Sequence, residues 1–117
     1  MSFEMFAGDT KRLRFSLFNA DGQPLDITGA TVRWRCSRWK GDKFSSTPSI
    51  AKSSLDDIDV TDPFAGLLTV NLKPEDTENL SGIFYAELEL EDVDGDIATA
   101  YSDTFTINRA LIKPTVP

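Results

Sequence analysis

Between Ala30 and Lys40, and again between Ile83 and Glu91, this chain alternates with a period of two. In the first stretch Val32, Trp34 and Cys36 are interleaved with Arg33, Arg35 and Ser37. In the second, Phe84, Ala86, Leu88 and Leu90 are interleaved with Tyr85, Glu87, Glu89 and Glu91. Successive side chains of a strand point to opposite faces, so each stretch has one apolar and one charged face. That is the pattern of half-buried antiparallel strands. The two charged faces have opposite signs, which predicts that the strands are neighbours in one sheet.

The rest of the chain reads in the same way. Lys11 to Phe18 places Leu13, Phe15 and Leu17 inward and Arg12, Arg14 and Ser16 outward. Asn19-Ala20-Asp21-Gly22 is a tight-turn signal, and in Pro24 to Gly29 the side chains of Asp26 and Thr28 can bond nearby backbone amides. Ser49 to Ser53 reads as a short edge strand behind Pro48, and Asp56 to Val60 as another extended piece. Leu67 to Leu72 is a strand with Leu68, Val70 and Leu72 on one face, and Pro74 to Leu80 holds a single helical turn. Asp92 to Asp96 makes a hairpin loop, from which Ile97 to Asn108 returns antiparallel. With Ile97, Thr99, Phe105 and Ile107 read as inward, Asp103 interrupts the apolar parity, so a bulge is expected near Ser102-Asp103. The sum is an all-β domain of about seven strands over residues 1–108, followed by an extended, proline-containing tail over 109–117.

A chain of 117 residues is one domain, long enough to bury a core without disulfides. Cys36 is the single cysteine, and its parity predicts a buried thiol in a protein that folds in a reducing compartment. The N-terminus has no basic region and no apolar run long enough for a membrane span, so no signal peptide and no membrane insertion are expected. Net charge is −7, unevenly spread. Residues 1–53 hold nine basic and five acidic residues, for +4, and residues 54–117 hold three and fourteen, for −11. The acidic total argues against a nucleic-acid partner, which would need a clustered basic surface. Arg12, Arg14, Arg33, Arg35 and Arg38 could form a local patch, but pairing with carboxylates of the second half is their expected use.

Little in the sequence points to catalysis. There is no histidine, the commonest general base and metal ligand. Cys36 lacks an imidazole partner, and no phosphate-binding glycine loop or dinucleotide fingerprint occurs. Asp92-Val93-Asp94-Gly95-Asp96 spaces carboxylates as a hard cation requires, yet Ile97 and Asp103 stand where a calcium loop needs glycine and glutamate. A hairpin turn with solvated acids explains the segment, and the acidic run Asp56-Asp57-Ile58-Asp59 with Asp62 is read alike. No cofactor is expected.

Exposed aromatics give a better lead. Trp39 shares the parity of Arg33 and Arg35, beside a loop carrying Phe44, and Tyr85 shares that face through the neighbouring strand. Tryptophan, tyrosine and arginine are over-represented at binding hot spots. Arg33, Arg35, Trp39, Phe44, Tyr85, Glu87 and Glu89 are therefore the candidate interface. Three uses of Trp39 stay open: a plug over the sandwich end, a protein contact, or a carbohydrate-stacking platform.

An immunoglobulin-like sandwich fits this strand pattern best, with Trp34 as the core tryptophan of the third strand. Phe84 stands where such domains place the corner tyrosine, and Ala86 where they place the second cysteine. Gly8-Asp9-Thr10, then Pro24-Leu25-Asp26-Ile27-Thr28-Gly29-Ala30-Thr31-Val32, then Leu80-Ser81-Gly82-Ile83-Phe84-Tyr85 resemble, in order and spacing, the N-terminal domain of phage baseplate upper proteins and related tail Ig-like modules. The resemblance implies a non-enzymatic virion protein that docks other tail or baseplate proteins, usually within a homo-oligomer. It carries over no site residue. Members of that family continue past this domain, which implies here a freestanding small virion protein or one whose partner functions are encoded separately. The rival expectation is a carbohydrate- or surface-binding module that uses Trp39, Phe44 and Tyr85.

Overall fold

The computed structural model describes residues 3–40, 43–44 and 47–110, with the backbone alone at 39–40 and 43–44. Nine strands and one helical turn follow in order: β1 (Phe3–Phe6), β2 (Lys11–Ser16), β3 (Thr31–Lys40), β4 (Lys43–Phe44), β5 (Ile50–Ser53), β6 (Ile58–Asp62), β7 (Leu67–Leu72), α1 (Pro74–Thr77), β8 (Gly82–Glu91) and β9 (Ile97–Asn108). They form a two-sheet β-sandwich. The larger sheet has the order β1-β9-β8-β3, with β4 and β5 both pairing with β3, and the smaller has the order β2-β7-β6. The expected seven strands are exceeded because short pieces at the margins pair as well. One pairing also departs from the antiparallel expectation: β1 runs parallel to β9, with Phe3 beside Phe105 and Met5 beside Ile107.

Alternation places the core as the sequence predicts. Val32, Trp34 and Cys36 of β3 are fully buried, as are Phe84, Ala86 and Leu88 of β8. Leu13 and Phe15 of β2 and Leu68, Val70 and Leu72 of β7 close over them from the smaller sheet. The Trp34 ring meets Phe105 edge-on at 5.7 Å between centroids. Phe3, Phe15 and Tyr101 form a second aromatic group, with centroid separations of 5.2 to 5.9 Å, that joins β1 and β9 to β2 across the sandwich.

The bulge lies earlier than Ser102-Asp103. Leu88 pairs with Tyr101 but Glu89 pairs with Thr99, so Ala100 is the extra residue. An inserted residue reverses the alternation. Tyr101, Phe105 and Ile107 therefore face inward, while Ile97 lies on the Glu91 side, 61% exposed, and Thr99 beside Glu89. The inward reading of Ile97 and Thr99 is corrected accordingly. Asp103 keeps the inward parity, opposite Ala86, and its Oδ1 accepts the Thr104 N–H at 2.7 Å. That bond holds its carboxyl below the usual range.

The turns form as their residues predict. Gly22, at φ 79°, donates its N–H to the Asn19 carbonyl at 3.0 Å. Asp26 Oδ1 accepts both the amide and the hydroxyl of Thr28, at 2.9 and 2.6 Å. In the acidic hairpin, Asp92 Oδ1 accepts the amides of Asp94 and Asp96, which is turn chemistry. The helical turn begins at Pro74, and Asp76 Oδ2 reaches back to the Lys73 amide at 2.8 Å. Residues 111–117, most of the expected tail, lie outside the described residues.

Candidate functional site

The outer face of the larger sheet is built by the register of β3 against β8. Arg33 lies opposite Glu89, Arg35 opposite Glu87 and Ser37 opposite Tyr85. Five of the seven predicted interface residues are thus brought together: Arg33, Arg35, Tyr85, Glu87 and Glu89. The other two, Trp39 and Phe44, pair through their backbones between β3 and β4, and their side chains lie outside the described residues.

Arg33 is the hub of this face. Its Nη2 donates to Glu91 Oε1 at 2.8 Å and its Nη1 to Glu89 Oε1 at 3.2 Å. The hydrogen bond that Arg33 donates to Glu91, opposed by partial desolvation and helped by Glu89, holds the guanidinium above its ordinary value. All three side chains remain about 30% exposed, so solvent screens the cluster and it adds little stability. Arg35 is exposed and Glu87 half-buried, and neither makes an ion pair or hydrogen bond among the described residues. A small depression of about 60 Å³ lies between Arg33, Arg35, Glu87 and Glu89. A groove of about 280 Å³ continues past Arg33 and Arg35 to Ala51, Ser53 and Asp56 of the β5 margin.

Among the described residues, the expectation that the arginines pair with carboxylates of the second half holds for Arg33 alone. Arg12 and Arg14 stand exposed on the outer face of the other sheet, opposite Asn71 and Thr69. Arg38 turns over the end of the core, its guanidinium 4.8 Å from the Phe84 ring centroid and its Nη1 donating to the Ser81 carbonyl at 3.1 Å. The five arginines therefore do not form one patch.

The most polar part of the interior lies outside the residues that the sequence singles out. Lys52 shares the inward parity of Ile50 and sits beside Trp34 in register, 8% exposed. It crosses the open margin between the sheets, with Nζ 2.7 Å from Asp57 Oδ2 and 2.8 Å from Asp76 Oδ2. Lys73 meets the other oxygen of Asp57 at 3.1 Å. Burial works against the Lys52 charge, but the two carboxylates outweigh it and raise its pKa, while Lys52 and then Lys73 lower that of Asp57. The available signal was a lysine at an inward position with aspartates five and twenty-four residues on. This is a structural tie, in which Lys52 and Asp57 each favour the other's charged form.

The chemistry of the remaining groups is quiet. Burial pushes the Cys36 thiol up to about 12, far from a thiolate nucleophile. Among the described residues no group of three or more metal-ligating side chains is placed to hold an ion, and no helix is long and apolar enough to cross a membrane. No protein-family model and no curated protein matches the sequence.

Proposed function

We propose that this chain is a non-enzymatic structural component of a phage or prophage tail or baseplate, an immunoglobulin-like module that mediates protein–protein assembly. The observation that carries the assembly reading is the outer face of the larger sheet. Two rows of opposite charge stand there in register, with Arg35 and Glu87 left unpaired among the described residues. Mixed charge of this kind gives register and selectivity to a contact, and Arg33, Arg35 and Tyr85 are residue types that supply affinity. The immunoglobulin-like part is supported by the strand order, by β1 lying parallel to β9, and by the buried Trp34 on β3. The tail or baseplate part is supported by the resemblance of the three turn motifs.

Quantitative mass spectrometry of particles purified from a strain that carries the gene tests the reading. The protein is expected at a fixed stoichiometry to known tail proteins. Particles that lack it, from cells that express it, would refute the role. A second reading, a carbohydrate- or surface-binding module, is favoured by the backbone pairing of Trp39 with Phe44 next to the Ser37–Tyr85 pair. Saturable quenching of tryptophan fluorescence in a glycan screen, lost in Trp39→Ala, would support it instead.

A further inference from the structure

The charges on the proposed contact face lie in two stripes. Along β3 the outward positions run Arg33, Arg35, Ser37, and along β8 they run Glu89, Glu87, Tyr85, each level with its β3 counterpart. Arg33 is occupied by Glu89 and Glu91. Arg35 and Glu87 stand level with each other and make no ion pair with any described residue. We infer that this face binds a second copy of the chain about a two-fold axis running along the strands, between β3 and β8, so that each Arg35 pairs with Glu87 of the other copy.

This inference rests on the contact reading of the face and specifies its partner. The stripes choose the axis. Rotation about a line parallel to the strands turns the basic stripe of one copy over the acidic stripe of the other, at the same level along the strand. Arg35 then meets Glu87 twice, once on each side of the axis. An axis across the strands would stack β3 on β3 and β8 on β8, setting like charges face to face, which costs binding energy. The arrangement is isologous and closes on itself, so it stops at a dimer. It also brings β9 over β5, where the outward residues at the level of Arg33 and Arg35 are Thr99 and Ser102 on one side and Ser53 and Ala51 on the other. Those side chains are small, so the two sheets can approach.

Sedimentation equilibrium on the full chain, over a range of protein and salt concentrations, tests this. The wild type is expected to form a dimer that weakens as salt rises. Arg35→Glu and Glu87→Arg should each weaken self-association at least about tenfold, because each sets like charges at both pair positions. An equimolar mixture of the two variants should regain dimer, since the acidic pair of one copy faces the basic pair of the other. That recovery also shows that both variants are folded. A wild type that stays monomeric at the highest concentration reached, single variants that dimerise as well as the wild type, or a mixture no tighter than its components would each overturn the inference. A monomer that is still found in particles would overturn the dimer and leave the assembly role standing. A dimer of the expected charge dependence that is missing from particles would uphold the dimer and refute the role.

Discussion

Trp34 is fully buried at the centre of the sandwich, and its Nε1 has no hydrogen-bond partner among the described residues. Two opposing effects meet in that side chain. Its ring packs edge-on against Phe105 inside the sandwich, while its unsatisfied N–H costs about 1–3 kcal/mol of desolvation. Trp34→Ala leaves a large cavity and should destabilise the protein by about 3–5 kcal/mol in urea denaturation. Trp34→Phe gives up part of the contact area but also removes the orphaned donor, so a loss of less than about 2 kcal/mol is expected. A Phe variant as unstable as the Ala variant would mean that Nε1 is satisfied in solution. Gly66 makes a sharper case. At φ 67° a side-chain Cβ there would lie 2.6 Å from the Leu25 carbonyl oxygen and 2.8 Å from that of Leu17. Neither backbone atom can move without opening the contacts of the 63–66 turn, where the Leu17 amide bonds the Gly66 carbonyl at 3.0 Å. Gly66→Ala should therefore cost more than Gly22→Ala, which has the same sign of φ but open space around it, by at least about 2 kcal/mol in chemical denaturation.

The strands themselves were legible because period-two patterning leaves a single choice of face once one side is buried. Leu67–Leu72 and Ile97–Asn108 begin and end where the turn residues around them predict, and Trp34, Cys36 and Phe84 lie inward as their parity requires. Legibility failed where geometry is not written locally. The bulge at Ala100 depends on how β9 must bend past β8, and Asp103 was a plausible but wrong marker for it, because its carboxylate finds the Thr104 amide and stays on the inward parity. The parallel β1–β9 pairing joins opposite ends of the chain, and no neighbouring residue announces it. Lys52 was missed for the same reason: its partners lie on the β5–β6 loop and on α1. That tie is open to test. Lys52→Met, which keeps the bulk and removes the charge, should destabilise the protein near neutral pH by about 3 kcal/mol, the lower end of the range for breaking a buried pair. Asp57 is depressed in the folded state, so its contribution is present above the ordinary carboxylate range and is lost as pH falls through its folded pKa. The gap between wild type and Lys52→Met should accordingly narrow in thermal denaturation as pH falls below the ordinary carboxylate range. A gap that is unchanged in acid would show that packing, rather than charge, accounts for Lys52.

The molecule as a whole places its charges on separate surfaces. Arg12 and Arg14 lie outside the smaller sheet, Arg33 and Arg35 outside the larger one, and the acids Glu87, Glu89 and Glu91 lie beside the latter pair. The contact reading was partly written in the sequence, since the parities of β3 and β8 are visible there. What was not visible is which charges satisfy each other within one copy, because that depends on rotamers: Arg33 takes two carboxylates and leaves Arg35 and Glu87 without partners among the described residues. Two exposed arginines on opposite faces supply the comparison that decides the account. Particles are assembled with Arg35→Glu and, separately, with Arg12→Glu, each shown to be folded by circular dichroism, and the amount of protein per particle is measured by mass spectrometry. Arg35→Glu is expected to be strongly depleted from particles while Arg12→Glu is retained at the wild-type level. Retention of Arg35→Glu at the wild-type level would contradict the contact reading.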